Sequence, residues 1–172
     1  VHTERGNFQG ILIGSQTAII DNPTLLTTSP TKFPPVRIVL DRRGRLKDNP
    51  TLHLLTDGQA PTWIFTENSS LQDQFAKGIR VFYRRTWSIN DILHELGYRE
   101  IQSVYVEGGP TVHQAFLQEG LFEELITYVA PHMLGKKGIS GMELACPMNF
   151  THQEIKILEN NIRIAERKIE NV

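Results

Sequence analysis

Short apolar runs alternate with polar, turn-rich segments over the first 130 residues. Each run is five or six residues long and is rich in Val, Ile and aromatic side chains, which is typical of β-strands. Because the runs are continuously apolar and do not alternate strictly, they favour strands that are covered on both faces. We predict strands at residues 10–14, 36–41, 62–66, 79–83, 103–107 and 125–130.

Helical periodicity fills several of the gaps between these strands. Residues 90–96 carry apolar side chains at helical spacing, with Ser88 or Asn90 as the N-cap and Gly97 as the stop signal. Pro110 suits the first position of a further helix. The additional helices are predicted at residues 111–119 and, on a weaker pattern, at residues 69–76.

The C-terminal segment has a different pattern. Residues 153–158 and 162–165 alternate polar and apolar side chains, and Glu159-Asn160-Asn161 between them favours a turn. This pattern predicts an antiparallel hairpin with one solvated face. Strands alternating with helices and followed by a hairpin predict an α/β fold whose mixed, mostly parallel sheet is flanked by helices.

Composition narrows the class of protein. A chain of 172 residues with 40% hydrophobic residues is expected to form one domain. Eighteen basic residues against nineteen acidic ones give no excess charge for a nucleic-acid or membrane surface. Cys146 is the only cysteine, which favours the cytoplasm, and the six histidines show no metal-ligand spacing. We therefore expect no bound metal, no membrane segment and no nucleic-acid partner.

The segment with the most specific chemistry runs from residue 104 to residue 111. A strand ends in Glu107, two glycines follow, and Pro110 opens a helix. Glycines allow a ligand to approach the backbone, and the free amides of a helix N-terminus favour a phosphate. The alternative is a tight turn that needs glycine for its conformation alone. The carboxylate of Glu107 favours a ligand site, because open α/β sheets bind ligands at the carboxyl ends of their strands.

A second strand-to-helix segment spans residues 14–23. Thr17 and Asp21 are four residues apart, so on a helix they share a face and would address one ligand. The alternative is a structural one, in which Ser15 caps the helix, Thr17 lies at the surface and Asp21 caps the next turn.

Two arginines follow the predicted strand at residues 36–41. Arg42 or Arg43 would pair with a cofactor phosphate if the loop faces the ligand. The alternative is a pair of solvated loop charges.

Taken in order, these segments resemble the reductase domain of bacterial riboflavin biosynthesis, a member of the dihydrofolate-reductase-like fold. The resemblance implies an enzyme that uses NADPH to reduce the ribosylamino group of a phosphorylated aminouracil to the ribitylamino form. It also implies a homodimer. The matching stretches are Val1-His2 with Arg5, residues 11–23 with Leu25, residues 35–41, residues 106–111, and residues 128–131 followed by Leu134-Gly135.

The resemblance also implies roles for individual residues. Thr17 and Asp21 match cofactor contacts on the nicotinamide side, and Arg42 matches a contact to the adenosine end. Asp21 and Glu107 are the implied catalytic carboxylates. Arg5, Leu25 and Glu107 match substrate contacts, and the cofactor's pyrophosphate would be held by Gly108, Gly109, Pro110, Thr111, Val112, His113, Gln114 and Ala115.

The chain departs from the family pattern in two places. The family has a substrate-binding arginine shortly after the position of Leu25, whereas Thr27-Thr28-Ser29 stand there. The family's first strand, with its lysine, has no counterpart, and neither has the zinc deaminase motif that often precedes this reductase. We expect residues 1–172 to form one reductase-like domain without that first strand. The alternatives are a related reductase of another pterin or pyrimidine and a non-catalytic nucleotide-binding module.

Overall fold

A computed structural model describes residues 2–30, 33–133, 135, 138 and 148–168. Val1, Leu134 and Cys146, which entered the sequence predictions, lie outside these residues. The chain divides into two compact units, Val1–His113 and Gln114–Val172.

A five-stranded parallel sheet forms the centre of the first unit, with the strand order β4-β3-β2-β1-β5. Five of the six predicted strands form this sheet, three of them with the predicted bounds. The strands are β1 (Gly10–Gly14), β2 (Val36–Leu40), β3 (Thr62–Thr66), β4 (Ile79–Tyr83) and β5 (Val104–Gly108).

Helices and short 3-10 turns connect these strands. The helices are α1 (Ser15–Asp21), α2 (His53–Thr56), α3 (Ile89–Tyr98) and α4 (Pro110–Gln118), and the 3-10 turns are Glu4–Asn7, Arg45–Asp48 and Ser69–Leu71. The predicted helix at residues 69–76 is wrong. The backbone leaves the helical conformation at Gln72, and Asp73 has a left-handed backbone with a φ of 63°. Only the 3-10 turn Ser69–Leu71 therefore forms in this segment.

The start of helix α3 is set by a local sequence signal, the pair Ser88 and Asp91. The Ser88 side chain accepts a hydrogen bond from the Asp91 amide, and the Asp91 carboxylate accepts one from the Ser88 amide, which completes a capping box. These hydrogen bonds hold the pKa of Asp91 below its ordinary value. The prediction of Ser88 as N-cap is therefore confirmed. The predicted stop at Gly97 is wrong by one residue, since the helix ends at Tyr98.

The core of the first unit lies on the central strands. All five residues of β1 and of β3 are buried, as their continuous apolar character predicts. Ile11, Ile13, Val39 and Ile64 form one apolar cluster, and the loop residue Leu25 belongs to the same cluster. This packed centre holds the carboxyl ends of β1 and β5 in place.

The second unit contains a three-stranded antiparallel sheet in the order β6-β8-β7. Its strands are β6 (Glu124–Val129), β7 (Phe150–Leu158) and β8 (Asn161–Lys168). The predicted hairpin is confirmed, with a turn of two residues because Asn161 pairs with Leu158. Its predicted single solvated face is wrong for β7, since residues 153–158 are exposed on both faces of the strand. The α/β fold class is confirmed, and the parallel and antiparallel strands form two separate sheets.

None of the helices in the described part of the chain is long and apolar enough to cross a membrane.

Candidate active site

The topology of the parallel sheet creates a crevice at the carboxyl ends of β1 and β5. The chain passes from β1 to β2 and β3 on one side, and returns after β4 to place β5 on the other side of β1. Open α/β sheets bind ligands at such a switch point. Neighbouring strands lie about 4.8 Å apart, so the Gly14-Ser15 turn after β1 and the Gly108-Gly109 turn after β5 face one crevice.

The surroundings of Gly108, the last residue of β5, and of Gly109 leave little space for a side chain. Gly108 has a φ of +108°, and a Cβ added there would lie 2.7 Å from Cε1 of His113. A Cβ on Gly109 would lie 3.0 Å from Oγ1 of Thr17. The peptide bond between the two glycines is cis. Thr17 and Gly109, which the family resemblance assigned to one cofactor from separate segments, therefore lie against each other.

The first turn of α4 fits an anionic group. It contains no acidic side chain that would neutralise the helix N-terminus. The amides of Val112 and His113 donate to the Gly109 carbonyl, at 2.9 and 3.1 Å. The Thr111 amide has no acceptor within the described part of the chain, and Thr111 is exposed. The turn thus offers a free amide and an open approach, as a phosphate requires.

His113 faces the inside of this turn. Its Nε2 lies 3.0 Å from the carbonyl oxygen of Val106, and its ring lies close to Gly108. The side chain therefore supports the shape of the turn. Gln114 and Ala115, predicted to contact the same cofactor, are half-buried.

Glu107 lies at an irregularity in the pairing of β1 with β5. Leu12 is paired with Val106 and the next residue, Ile13, with Gly108, so Glu107 is the extra residue of a β-bulge. Bulges often re-aim a side chain next to an active site. The Glu107 carboxylate receives two hydrogen bonds from Arg5, Nε to Oε1 at 2.6 Å and Nη2 to Oε2 at 2.7 Å. Two predicted substrate contacts thus form one ion pair.

The 3-10 turn Glu4–Asn7 explains how Arg5 reaches Glu107. Phe8, just after this turn, stacks on Tyr105 of β5 with ring centroids 5.0 Å apart. The Tyr105 hydroxyl donates to a Glu4 carboxylate oxygen at 3.3 Å. These contacts of Glu4 and Phe8 with Tyr105 hold the turn beside β5, two residues before Glu107.

The remaining predicted contacts differ in how they face the crevice. Leu25 is 1% exposed as a whole residue and packs in the core, so its side chain does not face the crevice. Asp21 is exposed at the end of α1, one helical turn after Thr17, and its carboxylate has no protein partner among the described residues. Arg42 follows β2 with a side chain that is 70% exposed and lies 3.7 Å from a Glu67 carboxylate oxygen.

The sequence did not indicate two residues next to the crevice. Arg45 donates to Oε1 of Gln16 at 2.5 Å and to Oγ of Ser15 at 3.1 Å, so it joins the loop after β2 to the start of α1. Asp41 is fully buried and its carboxylate accepts from the amides of Arg45 and Leu46. The Arg45 side-chain contacts join residues 29 and 30 positions apart, which no local pattern marks, whereas those of Asp41 span only four and five positions.

Within the described residues, no group of three or more His, Cys, Asp or Glu side chains has an arrangement that would hold a metal ion.

Comparisons with known proteins agree on one family. The family model described as the RibD C-terminal domain matches residues 1–162. The riboflavin biosynthesis protein RibD of Bacillus amyloliquefaciens is 42% identical over 138 residues, which cover 76% of this chain and 37% of that protein. The 5-amino-6-(5-phosphoribosylamino)uracil reductase of Buchnera aphidicola is 26% identical, with 86% of this chain and 74% of that protein covered.

A solved structure shows the same fold. The crystal structure of a bifunctional deaminase and 5-amino-6-(5-phosphoribosylamino)uracil reductase from Thermotoga maritima matches with a TM-score of 0.83 at 24% identity. The match covers 98% of this chain and 47% of the Thermotoga chain. This chain spans less than half the length of the RibD proteins from Bacillus and Aquifex that it matches, 37% and 46%. With a family model that covers residues 1–162, the chain belongs to the RibD C-terminal domain family.

Proposed function

We propose that this chain catalyses the NADPH-dependent reduction of 5-amino-6-(5-phosphoribosylamino)uracil to its ribitylamino form in riboflavin biosynthesis. The observation that carries the proposal is the meeting of Thr17, Gly109 and the Arg5–Glu107 pair at the carboxyl ends of β1 and β5. The Buchnera relative carries the name of this reductase. The proposal treats residues 1–172 as one reductase domain in the cytoplasm.

The residues around the glycine turn fit a dinucleotide. NADPH supplies the hydride for the reduction when it is bound. The exposed Thr111 amide and the first turn of α4 would hold its pyrophosphate. Thr17, against Gly109, and Asp21, one turn further along α1, would address the nicotinamide end. Arg42, exposed after the next strand, would address the adenosine end.

The substrate would lie against Glu107. An ionised carboxylate accepts hydrogen bonds only, so Glu107 would orient hydroxyl or N–H groups of the substrate beside the hydride donor. Asp21 and Glu107 are the carboxylates that we assign to catalysis. Arg5 and Leu25 complete the set of residues that we assign to the substrate.

The proposal predicts NADPH oxidation by the purified chain when the phosphorylated aminouracil is added. The measurement is the loss of NADPH absorbance, with identification of the ribitylamino product. NADPH binding without turnover would contradict the proposal and favour a nucleotide-binding module.

A related reductase with another substrate is the second candidate, and the loop after Leu25 favours it. The Thr27 hydroxyl donates to the His2 carbonyl, and the Ser29 hydroxyl donates to the Thr3 carbonyl. This part of the loop therefore provides neutral groups that are already engaged, where the family pattern has an arginine. Turnover of dihydrofolate, or of another pterin, in place of the aminouracil would identify this candidate.

We also propose that the protein is a homodimer that uses the antiparallel sheet. Ile155 and Ile157 share one face of β7 and are 62% and 79% exposed. Their partners on β8 are Ile164 and Ile162, and Val129 lies beyond Ile162 on β6. Such a face is self-complementary in a two-fold dimer, where the same patch is buried on both subunits.

The dimer predicts twice the 19.6-kDa mass of the chain in solution. Replacing Ile157 by Lys should shift the protein to the monomer, because the interface would bury an unpaired charge. Light scattering after gel filtration measures the mass. Lys156→Gln is the matched control, since Lys156 is on the opposite face of the same strand. A monomeric wild-type protein would contradict the dimer.

A further inference from the structure

Helix α1 carries two of the residues assigned to the cofactor, Thr17 and Asp21, although little within the helix stabilises it. An isolated helix shorter than about 12–15 residues is marginal in water, and α1 has seven. No side chain caps its N-terminus, its first turn holds no acidic residue and its last turn no basic one. The position of α1 therefore depends on contacts from outside the helix.

Arg45 holds the start of α1. This residue lies in the 3-10 turn Arg45–Asp48 after β2. Its Nη2 donates to Oγ of Ser15 at 3.1 Å, and its Nη1 donates to Oε1 of Gln16 at 2.5 Å. A charged donor makes stronger hydrogen bonds than a neutral one. Because Ser15 and Gln16 directly precede Thr17, the guanidinium fixes the turn of α1 that carries Thr17.

His53 holds the end of the same helix. It is the first residue of α2, and its amide donates to Oδ1 of Asn22 at 2.8 Å. Its Nδ1 lies 2.9 Å from the Asn22 carbonyl oxygen, which only accepts, so this nitrogen is the donor. Asn22 has a left-handed backbone with a φ of 41°, and it ends α1 directly after Asp21.

Both contacts come from the connection between β2 and β3, which also contains Arg42. We propose that this connection braces α1 at both ends, so that Arg45 and His53 act as positioning residues. They hold in place the helix face that carries Thr17 and Asp21, and they do not themselves bind the cofactor. The inference rests on the proposed function, because it assigns further residues to the same cofactor site. It links the loop of the adenosine end to the helix of the nicotinamide end.

The loop that carries Arg45 keeps its shape through backbone groups. The buried carboxylate of Asp41 accepts hydrogen bonds from the amides of Arg45 and Leu46, at 3.0 and 2.9 Å. Nδ2 of Asn49 donates to the Arg45 carbonyl at 2.9 Å. Within the described part of the chain, the Arg45 side chain donates to neutral groups. Its removal therefore leaves no buried carboxylate unpaired, and it releases α1 without unfolding the loop.

Amide hydrogen exchange tests the brace without relying on catalysis. We expect Arg45→Met to raise the exchange rates of residues 18–22, whose amides donate along α1, by about 10- to 100-fold. That factor corresponds to the loss of a hydrogen bond to a charged group. The amides of α3 should exchange as in the wild type, since a capping box of its own stabilises that helix.

Two ligands separate positioning from direct binding. NADPH spans the whole proposed cofactor site, whereas adenosine 2′,5′-bisphosphate spans only the adenosine end. Isothermal titration should show that Arg45→Met weakens NADPH binding by about 10-fold or more and leaves the affinity for the bisphosphate unchanged. In a Thr17→Ala background the same substitution should cost less, because part of the effect of Arg45 passes through Thr17.

Three further variants complete the test. Arg45→Lys should recover part of the NADPH affinity, because an ammonium group still donates but lacks the planar fork. Asn22→Gly keeps the left-handed backbone and removes the acceptor of the His53 amide, so it should speed exchange at the end of α1. Both variants test the brace if Arg45→Met does not fold. Lys47→Met is the matched control, since it removes an exposed cation from the same 3-10 turn and should change neither measurement.

Two results would overturn the inference. Unchanged exchange along α1 in folded Arg45→Met and Asn22→Gly variants would show that the connection does not brace the helix. Equal losses of affinity for NADPH and for the bisphosphate would show that Arg45 binds the cofactor itself. Wild-type protein that binds NADPH but does not reduce the aminouracil would overturn the proposed function and leave the brace intact.

Discussion

Replacing Gly109 by valine should abolish NADPH binding in the micromolar range. Even a Cβ at this position would lie only 3.0 Å from Oγ1 of Thr17, which is closer than a carbon and an oxygen normally pack. Overpacking costs about 1–3 kcal/mol, and the two γ-methyl groups would also occupy space that the proposed dinucleotide would need. We expect the affinity to fall by roughly 100-fold or more, since each 1.4 kcal/mol is about tenfold. Isothermal titration measures it.

Gly97→Ala is the matched control for this substitution. Gly97 lies in α3, and a Cβ there would have no heavy atom within 4 Å. Alanine also favours a helix over glycine, so the control should bind NADPH as the wild type does and be slightly more stable. Unchanged NADPH binding by a folded Gly109→Val variant would contradict the assignment of the glycine turn to the cofactor.

Replacing Asp57 by alanine should cost about 3–5 kcal/mol of unfolding free energy, as expected when one partner of a buried ion pair is removed. Arg37, the second residue of β2, is 1% exposed, and its Nη1 donates to both Asp57 oxygens at 2.7 and 2.8 Å. Its Nη2 donates to the Ala60 carbonyl at 2.6 Å. Without Asp57, a buried guanidinium has only carbonyl partners. Native domains are stable by about 5–15 kcal/mol, so this loss is large.

Chemical denaturation measures the effect, and two variants test its cause. Arg37→Met in combination with Asp57→Ala should recover much of the loss, because no charge is then left buried. Glu124→Ala removes an exposed ion pair with Arg167 and should cost at most about 1 kcal/mol. A loss for Asp57→Ala no greater than for Glu124→Ala would contradict the buried-charge explanation.

Local patterns predicted the secondary structure well where one signal dominated. The strands at residues 10–14, 62–66 and 79–83 have the predicted bounds because each is a short apolar run between turn residues. Ser88 caps α3 because the serine and Asp91 are three residues apart, which is a purely local arrangement. The helix predicted at residues 69–76 did not form, since its weak apolar pattern does not compensate for the left-handed conformation at Asp73.

Part of the candidate site, its two strand-to-helix junctions, could be predicted from the sequence. The Gly108-Gly109-Pro110 turn and the Thr17 segment are visible as strand-to-helix junctions, and the resemblance placed both on one ligand. Their actual proximity depends on the order of the strands, which puts β5 beside β1. That order is a property of the whole sheet, and short segments of sequence do not encode it separately.

Periodicity, turn residues and caps were therefore enough to establish the α/β class, the position of most strands and helices to within about three residues, and the two junctions that flank the crevice. The packed fold was needed for the pairings between distant residues. Arg5 and Glu107 are 102 positions apart, and Arg37 and Asp57 are 20 apart on different elements. The physical reason is that local signals act through backbone conformation and neighbouring side chains. An ion pair requires two groups whose distance depends on every element between them. Which residues pair is therefore decided only by the folded sheet.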